Sequence, residues 1–504
     1  MSQLYRDRPL LVLAIILANV TLSAWCIFND PVINNDGVTY LALAKYMQQG
    51  QWADAFAYYS WPFYSIFIMV TSKLFFVDIE TAAYILNTLL ATSLTLAFVC
   101  IVAELSDNDR NLILLAALVI LLFPSINKYR SFIIRDFGYL SCYLWSLFFI
   151  FKFCRTFDKR HLGGWLAFAV LSCLFRFEGI VFLLIAPYFL LLFSATNLPH
   201  RRTVLIALSG ALVSVSAALV FWYLNDKYAA MLTMAARTGE DINGIADLFF
   251  ANIKQQVGQE ALGASAYLKA FVAGIGVVFY ELMRRMAVLY FVFSVYGYVK
   301  NLVLHNALQR KVWLVFVGTN LVVLIGFSLY TSFLVSRYTL ATALTLLLLA
   351  PFAMQHLWRM SWAGGRTIRV MAIVVAIVLA GISADRLTQT TNKLHLKTAG
   401  LWLAENVSAG ERVYSNDKLI IYYADRNPEE NLKHLYSTDM LYEFHQTNQV
   451  RNYDFIAFNL DNRIYREASL RQTLIYTWGQ PAHIIEAGTA QFVVIFDLRA
   501  KENG

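Results

Sequence analysis

Long apolar runs recur along the first 385 residues of the chain, and they are the feature that most constrains its fold. Most of the runs are near the length that an α-helix needs to cross a bilayer core of about 30 Å. Because only 15% of the 504 residues are charged and 59% are apolar, the chain cannot coat soluble domains of this size. It is therefore predicted to be mostly membrane-embedded, and disordered, collagen-like and disulfide-rich architectures are excluded. The runs are 9–28, 81–104, 111–126, 137–154, 162–175, 179–195, 203–224, 286–304, 312–330, 338–357 and 368–384.

Basic loops orient these helices, because cytoplasmic loops of membrane proteins are enriched in Lys and Arg. With about eleven crossings, all four basic loops lie on the cytoplasmic side together with the N-terminus. Two further apolar stretches, 61–77 and 264–283, would break this arrangement if they crossed. Helices at 38–77 and 224–285 are therefore predicted to lie on the outer face. The basic loops are 155–161, 200–202, 309–311 and 359–369.

The sequence changes character after about residue 385, where polar and charged residues return and the apolar runs shorten. Residues 394–406 have helical periodicity, and helix and strand patterns alternate. The prediction is thus an all-α polytopic membrane bundle over 1–384 and a small α/β domain over 385–504 on the outer face. The strands are predicted at 412–414, 419–423, 455–459 and 492–496.

The first outer segment holds a carboxylate close to the membrane. Asp36 follows the first apolar run by a few residues, and Gly37 lets the backbone turn before an amphipathic helix begins. Asp36 is therefore held near the membrane surface, where its carboxylate can accept a proton from an incoming hydroxyl or amine. The alternative is that Asp36 caps the helix, which Asp residues do well. The two roles are not exclusive.

Several basic residues occur beside the predicted spans at the same face. Such side chains bind a lipid phosphate by charge-assisted hydrogen bonds, or they anchor helices by reaching toward lipid headgroups. Charges that interrupt two apolar runs mark either a site or a structural ion pair. Together these residues favour a reaction that involves an anionic lipid. They are Lys128, Arg130, Arg135, Arg176 and Arg337, accompanied by Asp136 and Glu178.

The arrangement resembles the GT-C superfamily of polytopic glycosyltransferases, in particular the lipid A aminoarabinose transferases and protein O-mannosyltransferases. The resemblance rests on four short motifs, which occur in the order typical of the family and on the same predicted side of the membrane. The chain departs from many relatives in having Gly37 rather than a second acidic residue after Asp36. It also lacks the WWD-type motif of the oligosaccharyltransferases, which argues against transfer of a large glycan to Asn. The motifs are Asp36 and Tyr40 with Ala42, Ala44 and Gly50; Trp61-Pro62-Phe63-Tyr64; Arg176-Phe177-Glu178-Gly179; and Arg337-Tyr338.

The resemblance implies an inverting transferase that takes a sugar from a polyprenyl-phosphate donor. Asp36 would be the general base, and arginines would neutralise the charge that grows on the departing lipid phosphate. Glu178 and Asp136 would orient arginines or contact sugar, with Asp136 a second choice for the base. Tyr40 and Tyr338 would contact substrate or support the site. The expected phosphate ligands are Arg135, Arg176 and Arg337, with Lys128 and Arg130 as weaker candidates.

The expected location is the bacterial inner membrane, with a periplasmic C-terminal domain and a lipid, glycan or protein as acceptor. No nucleic-acid partner is expected. One carboxylate in the first outer segment offers too few oxygen ligands for a Mg²⁺ site, so no cofactor or metal is expected. Two alternatives stay open: a transporter or flippase of lipid-linked sugars, and a polymerase or ligase that uses a diphosphate-linked glycan. Segment 224–285 is further predicted to close over the site when donor binds.

Overall fold

The computed structural model falls into two compact units. The first comprises Met1–Cys26, Tyr46–Arg130 and Ile134–Gln389, and the second comprises Ile27–Lys45, Ser131–Ile133 and Thr390–Gly504. The second unit thus joins the C-terminal region to a segment near the start of the chain. The described residues are 8–59, 61–193, 201–223, 266–331, 334, 336–363, 365–390, 392–426, 452–488 and 490–499.

The first unit is helical, and each of the predicted apolar runs forms a helix in whole or in part. One helix, α2, begins in the second unit and ends in the first. The helices are α1 (Pro9–Asn29), α2 (Asn35–Gln48), α3 (Trp52–Tyr58), α4 (Phe63–Phe75), α5 (Ile79–Leu105), α6 (Arg110–Leu121), α7 (Pro124–Asn127), α8 (Asp136–Thr156), α9 (Lys159–Phe175), α10 (Gly179–Phe193), α11 (Arg201–Tyr223), α12 (Ala266–Arg285), α13 (Leu289–Val299), α14 (Ala307–Thr331), α15 (Leu340–Leu347), α16 (Ala350–Ala363) and α17 (Arg366–Thr388).

Five of the described helices are long and apolar enough to cross a membrane, and a sixth span results if the bent pair Ser336–Leu347 and Ala350–Ala363 counts as one. The prediction of about eleven spans is therefore not confirmed. Several apolar helices are short: α13 has 11 residues, a length of roughly 17 Å at 1.5 Å per residue. The run 111–126 is divided because Pro124 disfavours helical backbone at the residue before it.

Helix α8 lies at the centre of the first unit. In its most apolar 18-residue stretch, 83% of the residues are buried, and it packs against α5 and α9. Polar contacts add specificity nearby, because Asn19 of α1 donates a 2.8 Å hydrogen bond to Thr92 of α5 and accepts one from Thr95 at 3.0 Å. The packing of α8 against α5 and α9 positions its first residue, Asp136.

The second unit contains a four-stranded sheet of order β1-β2-β4-β3. The strands β1 and β2 are parallel, whereas β4 is antiparallel to both β2 and β3. The inward side chains of β2 and β4 pack with Leu470 and Leu474 of one helix into an apolar core. The elements are α18 (Leu394–Asn406), β1 (Val413–Ser415), α19 (Lys418–Tyr423), β2 (Phe455–Asp461), α20 (Tyr465–Trp478), β3 (His483–Ala487) and β4 (Gln491–Asp497).

The small α/β region matches the sequence prediction in type, with one element wrong. The helix at 394–406 is confirmed. Observed strands overlap three of the predicted strands, those at 412–414, 455–459 and 492–496. Residues 419–423 were predicted as a strand but lie in helix α19. The reason is local, because the Asp417 carboxylate caps that helix by accepting a 2.9 Å hydrogen bond from the Leu419 backbone N–H. The predicted lid lies mostly in 224–265, outside the described residues.

Candidate functional site

A buried ion-pair cluster joins α8 to the turn between α9 and α10. Asp136 and Arg176 are only 4% and 5% exposed, and Arg176 Nη1 lies 2.5 Å from Asp136 Oδ1. The same guanidinium donates from Nε to Glu178 Oε2 at 3.2 Å and from Nη2 to Glu178 Oε1. Two carboxylates therefore hold Arg176 in a fixed orientation, and three of the predicted site residues are brought together.

Close backbone packing explains why these charges meet. A Cβ at Gly138 would lie 2.3 Å from the Phe175 ring, and one at Gly179 would lie 2.6 Å from Ser172 Oγ. The first glycine lets α8 approach the end of α9, and the second closes the turn that follows. The motif Arg-aromatic-Glu-Gly therefore has a structural basis: its glycine permits the turn that presents Arg176 and Glu178.

The predicted Arg337-Tyr338 pair also belongs to the cluster. Arg337 Nη1 lies 3.9 Å from Asp136 Oδ2, and the Tyr338 ring centroid lies 4.2 Å from the guanidinium carbon of Arg176. Tyr338 is held in place by an edge-to-face contact with Phe327 at 4.9 Å. An aromatic face stabilises a cation where water is excluded, so Tyr338 supports Arg176 rather than serving only as an interfacial anchor.

The cluster carries net positive charge. The three arginines are Arg135, Arg176 and Arg337, and the two carboxylates are Asp136 and Glu178. Burial acts against the charged form of Arg176, but Asp136 and Glu178 outweigh it and raise the pKa of Arg176 well above its ordinary value. Burial likewise opposes ionisation of Glu178, yet Arg176, with a smaller contribution from Arg135, lowers the pKa of Glu178. Arg176 and Glu178 are therefore both ionised at neutral pH, and the excess of arginines over carboxylates attracts an anion to the cluster.

A small cavity of about 50 Å³ opens beside these charges. One wall is polar and includes Asp136, Arg176, Glu178 and Arg337. The other wall is apolar and is formed by α10, α14 and α15. A cavity with a charged end and an apolar wall suits the junction between a phosphate and a hydrocarbon chain. Its apolar wall includes Phe182, Val323, Leu324, Phe327 and Ala341.

Asp36 lies in the second unit, in the first turn of α2. The Asn34 side chain fixes this turn, because its amide donates to the Ile133 carbonyl at 3.2 Å and accepts from the Ile133 N–H at 2.7 Å. A Cβ at Gly37 would lie 3.1 Å from Ile133 Cβ, so the close contact with the 131–133 segment favours glycine. Tyr40 is buried in the same helix. Since α2 begins at Asn35, Asp36 is its second residue rather than its cap.

Lys418 is a candidate functional residue that the sequence did not single out. Its ammonium is 3.5 Å from Thr39 Oγ1 on α2 and interacts with the charges of Asp36 and Asp417. Burial lowers the pKa of Lys418, while the two carboxylates act in the opposite direction. The only sequence signal was its position directly after the helix cap Asp417, which does not reveal a partner nearly four hundred residues away.

The two weaker phosphate candidates have different surroundings. Arg130 is 2% exposed, and its guanidinium donates to Asn127 at 2.8 Å and to Asn19 and Ser23 at 2.9 Å. These contacts give Arg130 a role in joining α1 to the segment after α7. Lys128 is half-buried, and its ammonium lies 5.5 Å from the Tyr129 ring centroid. Neither residue lines the cavity beside Arg176.

Comparison with known proteins identifies the fold. No family model and no characterised protein sequence matches the chain. ArnT from Cupriavidus metallidurans, a GT-C glycosyltransferase crystallised with undecaprenyl phosphate, aligns over 96% of this chain and 97% of its own, with 13% identity and a TM-score of 0.54. Its apo structure aligns over 97% and 98%, with 13% identity and a TM-score of 0.52. An oligosaccharyltransferase from Archaeoglobus fulgidus aligns over 88% and 68%, with 12% identity and a TM-score of 0.48.

The likeness to ArnT confirms the predicted GT-C-like fold, a helical membrane region followed by a small domain with a sheet. At 13% identity it establishes the fold alone, and the chemistry depends on the residues of this chain.

Proposed function

We propose that the chain is an inverting glycosyltransferase that moves a sugar from a polyprenyl-phosphate donor to an acceptor at the extracytoplasmic face of the bacterial inner membrane. The observation that carries the proposal is the cluster around Arg176, which combines net positive charge with an apolar wall. A lipid phosphate needs both features. The fold supports the proposal, because ArnT was crystallised with undecaprenyl phosphate.

In the proposed reaction the Asp36 carboxylate takes the proton from the acceptor hydroxyl. The hydroxyl oxygen attacks the anomeric carbon from the face opposite the phosphate, and the bond between that carbon and the phosphate oxygen breaks. The products are the glycosylated acceptor, with inverted configuration, and the free polyprenyl phosphate. A positioned base contributes roughly 10²- to 10⁴-fold to such a step.

Arg135, Arg176 and Arg337 stabilise the negative charge that develops on the departing phosphate. Fixed donors aimed at developing charge contribute strongly where water is excluded, and loss of one such donor typically costs about 10²- to 10³-fold in turnover. Asp136 and Glu178 act through Arg176, since both hold its guanidinium. They are therefore positioning residues, and Asp136 is less suited to be the base than Asp36.

Lys418 is proposed to position the base. Its ammonium adds positive charge beside Asp36 and contacts Thr39 one turn further along α2. The reaction as written needs no metal, so we expect it to persist in a strong chelator. Loss of turnover on chelation, with recovery on adding a divalent ion, would show that an acidic partner of Asp36 had been missed.

A transfer assay with the purified full-length protein tests the proposal. Lipid-phosphate sugars labelled in the sugar are supplied with a membrane extract as the acceptor source. The expected result is labelled acceptor and one free polyprenyl phosphate for each sugar transferred, with inverted anomeric configuration. Movement of intact lipid-linked sugar across a vesicle membrane, without bond cleavage, would support the transporter alternative. Release of a lipid diphosphate would support the polymerase or ligase alternative.

A further inference from the structure

A second basic cluster lies at the end of α12, near Arg337 but outside the cavity beside Arg176. Arg284 and Arg285 end α12, and Lys128 directly follows α7. The Ser125 hydroxyl donates a 2.7 Å hydrogen bond to the Arg285 carbonyl, which joins α7 to this end of α12. The cluster is therefore held by packed elements rather than by one exposed loop.

The fourth cation of this cluster comes from α17. Ser383 donates a 2.6 Å hydrogen bond to the Leu122 carbonyl, and Arg386 follows Ser383 by about one helical turn. Burial lowers the pKa of Lys128, and the positive charges of Arg285, Arg386 and Arg284 lower it further, so Arg386 lies within electrostatic range of Lys128.

Negative charge is scarce at this position. Of the charged groups that shift the pKa of Lys128, three are arginines and one, Glu281, is a carboxylate. Glu281 is already engaged, because it accepts from Arg284 at 2.7 Å and lies 3.6 Å from Arg285 Nε. Burial and the neighbouring arginines lower the pKa of Arg285 despite Glu281 and Tyr129. The positive charge of the cluster is therefore only partly compensated by the protein.

Arg285 distinguishes this cluster from ordinary interfacial anchoring. Its side chain is only 8% exposed, and its Nε has no hydrogen-bond partner among the described residues. An anchoring arginine extends its guanidinium into water or lipid headgroups. The neighbouring Arg284 is exposed in that manner, but Arg285 is not. A buried guanidinium with an unsatisfied donor requires an acceptor, and an anion that enters the cluster would supply one.

The cluster is separate from the cavity used by the proposed reaction. Of the residues described as lining that cavity, none is Lys128, Arg284, Arg285 or Arg386. The two regions are nevertheless neighbours, because the Tyr129 hydroxyl lies 3.3 Å from Ser336 Oγ, directly before Arg337. A ligand of the second cluster would therefore lie close to the transfer site without occupying it.

We propose that Lys128, Arg285 and Arg386 bind the phosphate group of an anionic membrane lipid, at a site distinct from that of the sugar donor. Phosphate oxygens accept charge-assisted hydrogen bonds from several cations at once. Exposed apolar side chains on α12 and α17, such as Val277 and Ile377, suit the lipid's hydrocarbon chains. Binding at this site does not depend on the transferase proposal, because it is measured without turnover.

Native mass spectrometry of the full-length protein in detergent tests the proposal. Dioleoyl phosphatidic acid and dioleoyl phosphatidylcholine are added separately, and lipid adducts are counted for the parent and for Arg285→Gln, Lys128→Gln, Arg386→Gln and Arg284→Gln. We expect the protein to retain phosphatidic acid in preference to phosphatidylcholine. Each of the first three changes should weaken its retention by roughly tenfold, the typical effect of losing one charged hydrogen bond. Arg284→Gln is the matched control, since it removes the same charge from the adjacent exposed position, and its effect should stay below about twofold.

Other outcomes would overturn the proposal. Equal losses in Arg284→Gln and Arg285→Gln would mean that general surface charge binds the lipid. Retention of inorganic phosphate at the same affinity would mean that the site takes a free anion, and retention of polyprenyl phosphate alone would assign the cluster to the donor. Because Arg285 is buried, thermal unfolding is measured for each variant. If Arg285→Gln does not fold, the half-buried Lys128 decides: normal lipid retention in a folded Lys128→Gln protein contradicts the site.

Discussion

At the residue scale, Arg176 is a buried cation whose contacts serve structure and function together. Taking charges out of water is expensive, and removing one partner of a buried pair typically costs about 3–5 kcal/mol because the other charge is left uncompensated. A single substitution at Arg176 therefore cannot separate loss of the fold from loss of phosphate binding. Replacing the buried pair of Arg176 and Asp136 by apolar residues of similar volume avoids that problem.

The double substitution Arg176→Met and Asp136→Leu separates the two roles. Stability should stay within about 1–2 kcal/mol of the parent, because both charges of the buried pair are removed together and Glu178, whose side chain is 33% exposed, is hydrated when Arg176 is gone. Turnover with the lipid-phosphate donor should fall at least about a hundredfold, because a fixed donor to the developing phosphate charge is gone. Thermal unfolding and the transfer assay measure the two effects. A folded double variant with parental turnover would reduce the cluster to a structural ion pair.

Asp36 can be tested without disturbing the turn that holds it. Asp36→Asn keeps the size and local hydrogen-bonding capacity of the side chain but cannot take a proton. We expect a folded protein that binds donor and turns over at least about a hundredfold more slowly. Asp36→Ala also removes a negative charge from the first turn of α2, which stabilises a helix by about 0.3–1 kcal/mol. Near-parental turnover in Asp36→Asn, with instability confined to Asp36→Ala, would leave Asp36 with a structural role only.

Lys418 should act through Asp36, which a double-mutant cycle can detect. Lys418→Met removes the ammonium while keeping much of the side-chain volume, and turnover should fall roughly tenfold, as expected for the loss of one charged contact. In the Asp36→Asn background the same change should have little further effect, because residues in one network are not additive. Lys418→Arg should restore part of the activity. Equal losses in both backgrounds would mean that Lys418 acts independently of Asp36.

At the element scale, the site depends on how closely α8 approaches α9. Gly138→Ala would place a methyl group 2.3 Å from the Phe175 ring, so either that ring or the helix backbone must shift, which disturbs the packing that holds Asp136 near Arg176. Overpacking of this kind costs about 1–3 kcal/mol, and we expect lower thermal stability together with lower turnover. Gly163→Ala on α9 is the control, since nothing lies within 4 Å of its added Cβ. If Gly138→Ala behaves like Gly163→Ala, close helix approach does not determine the site.

The elements also show what a sequence can and cannot predict here. Long apolar runs become helices because hydrocarbon and packed protein both favour satisfied backbone groups. Residues 419–423 were assigned the wrong element because a short apolar run fits a strand or a helix equally well, and the cap at Asp417 decides between them. For Arg176 and Asp136 the sequence could predict only that both lie at the same face of the membrane, not that they form an ion pair. Contacts such as Lys418 with Thr39, or Ser125 with Arg285, depend on packing between distant segments and left no local signal.

At the scale of the whole molecule, the number of crossings and the side of the C-terminal region are the open structural predictions. The parity argument needs about eleven crossings, whereas five or six described helices meet the length and apolarity expected of a span. Short apolar helices such as α6 and α10 can still cross a bilayer that thins locally, at a modest cost for each ångström of mismatch. Helix count alone therefore does not determine the orientation, and a direct measurement is required.

Cysteine labelling of the full-length chain provides that measurement. In a variant lacking the five native cysteines, Tyr476→Cys lies in the C-terminal region at a side chain that is 92% exposed. Lys159→Cys lies in an exposed position of a predicted cytoplasmic loop. A membrane-impermeant maleimide should label Tyr476→Cys in cells whose outer membrane is permeabilised, and should label Lys159→Cys only after the inner membrane is also opened. This pattern follows if an odd number of crossings separates the two positions, as the distribution of Lys and Arg predicts. The reverse pattern would put the C-terminal region, including Lys418, in the cytoplasm, and transfer at the extracytoplasmic face would have to be abandoned.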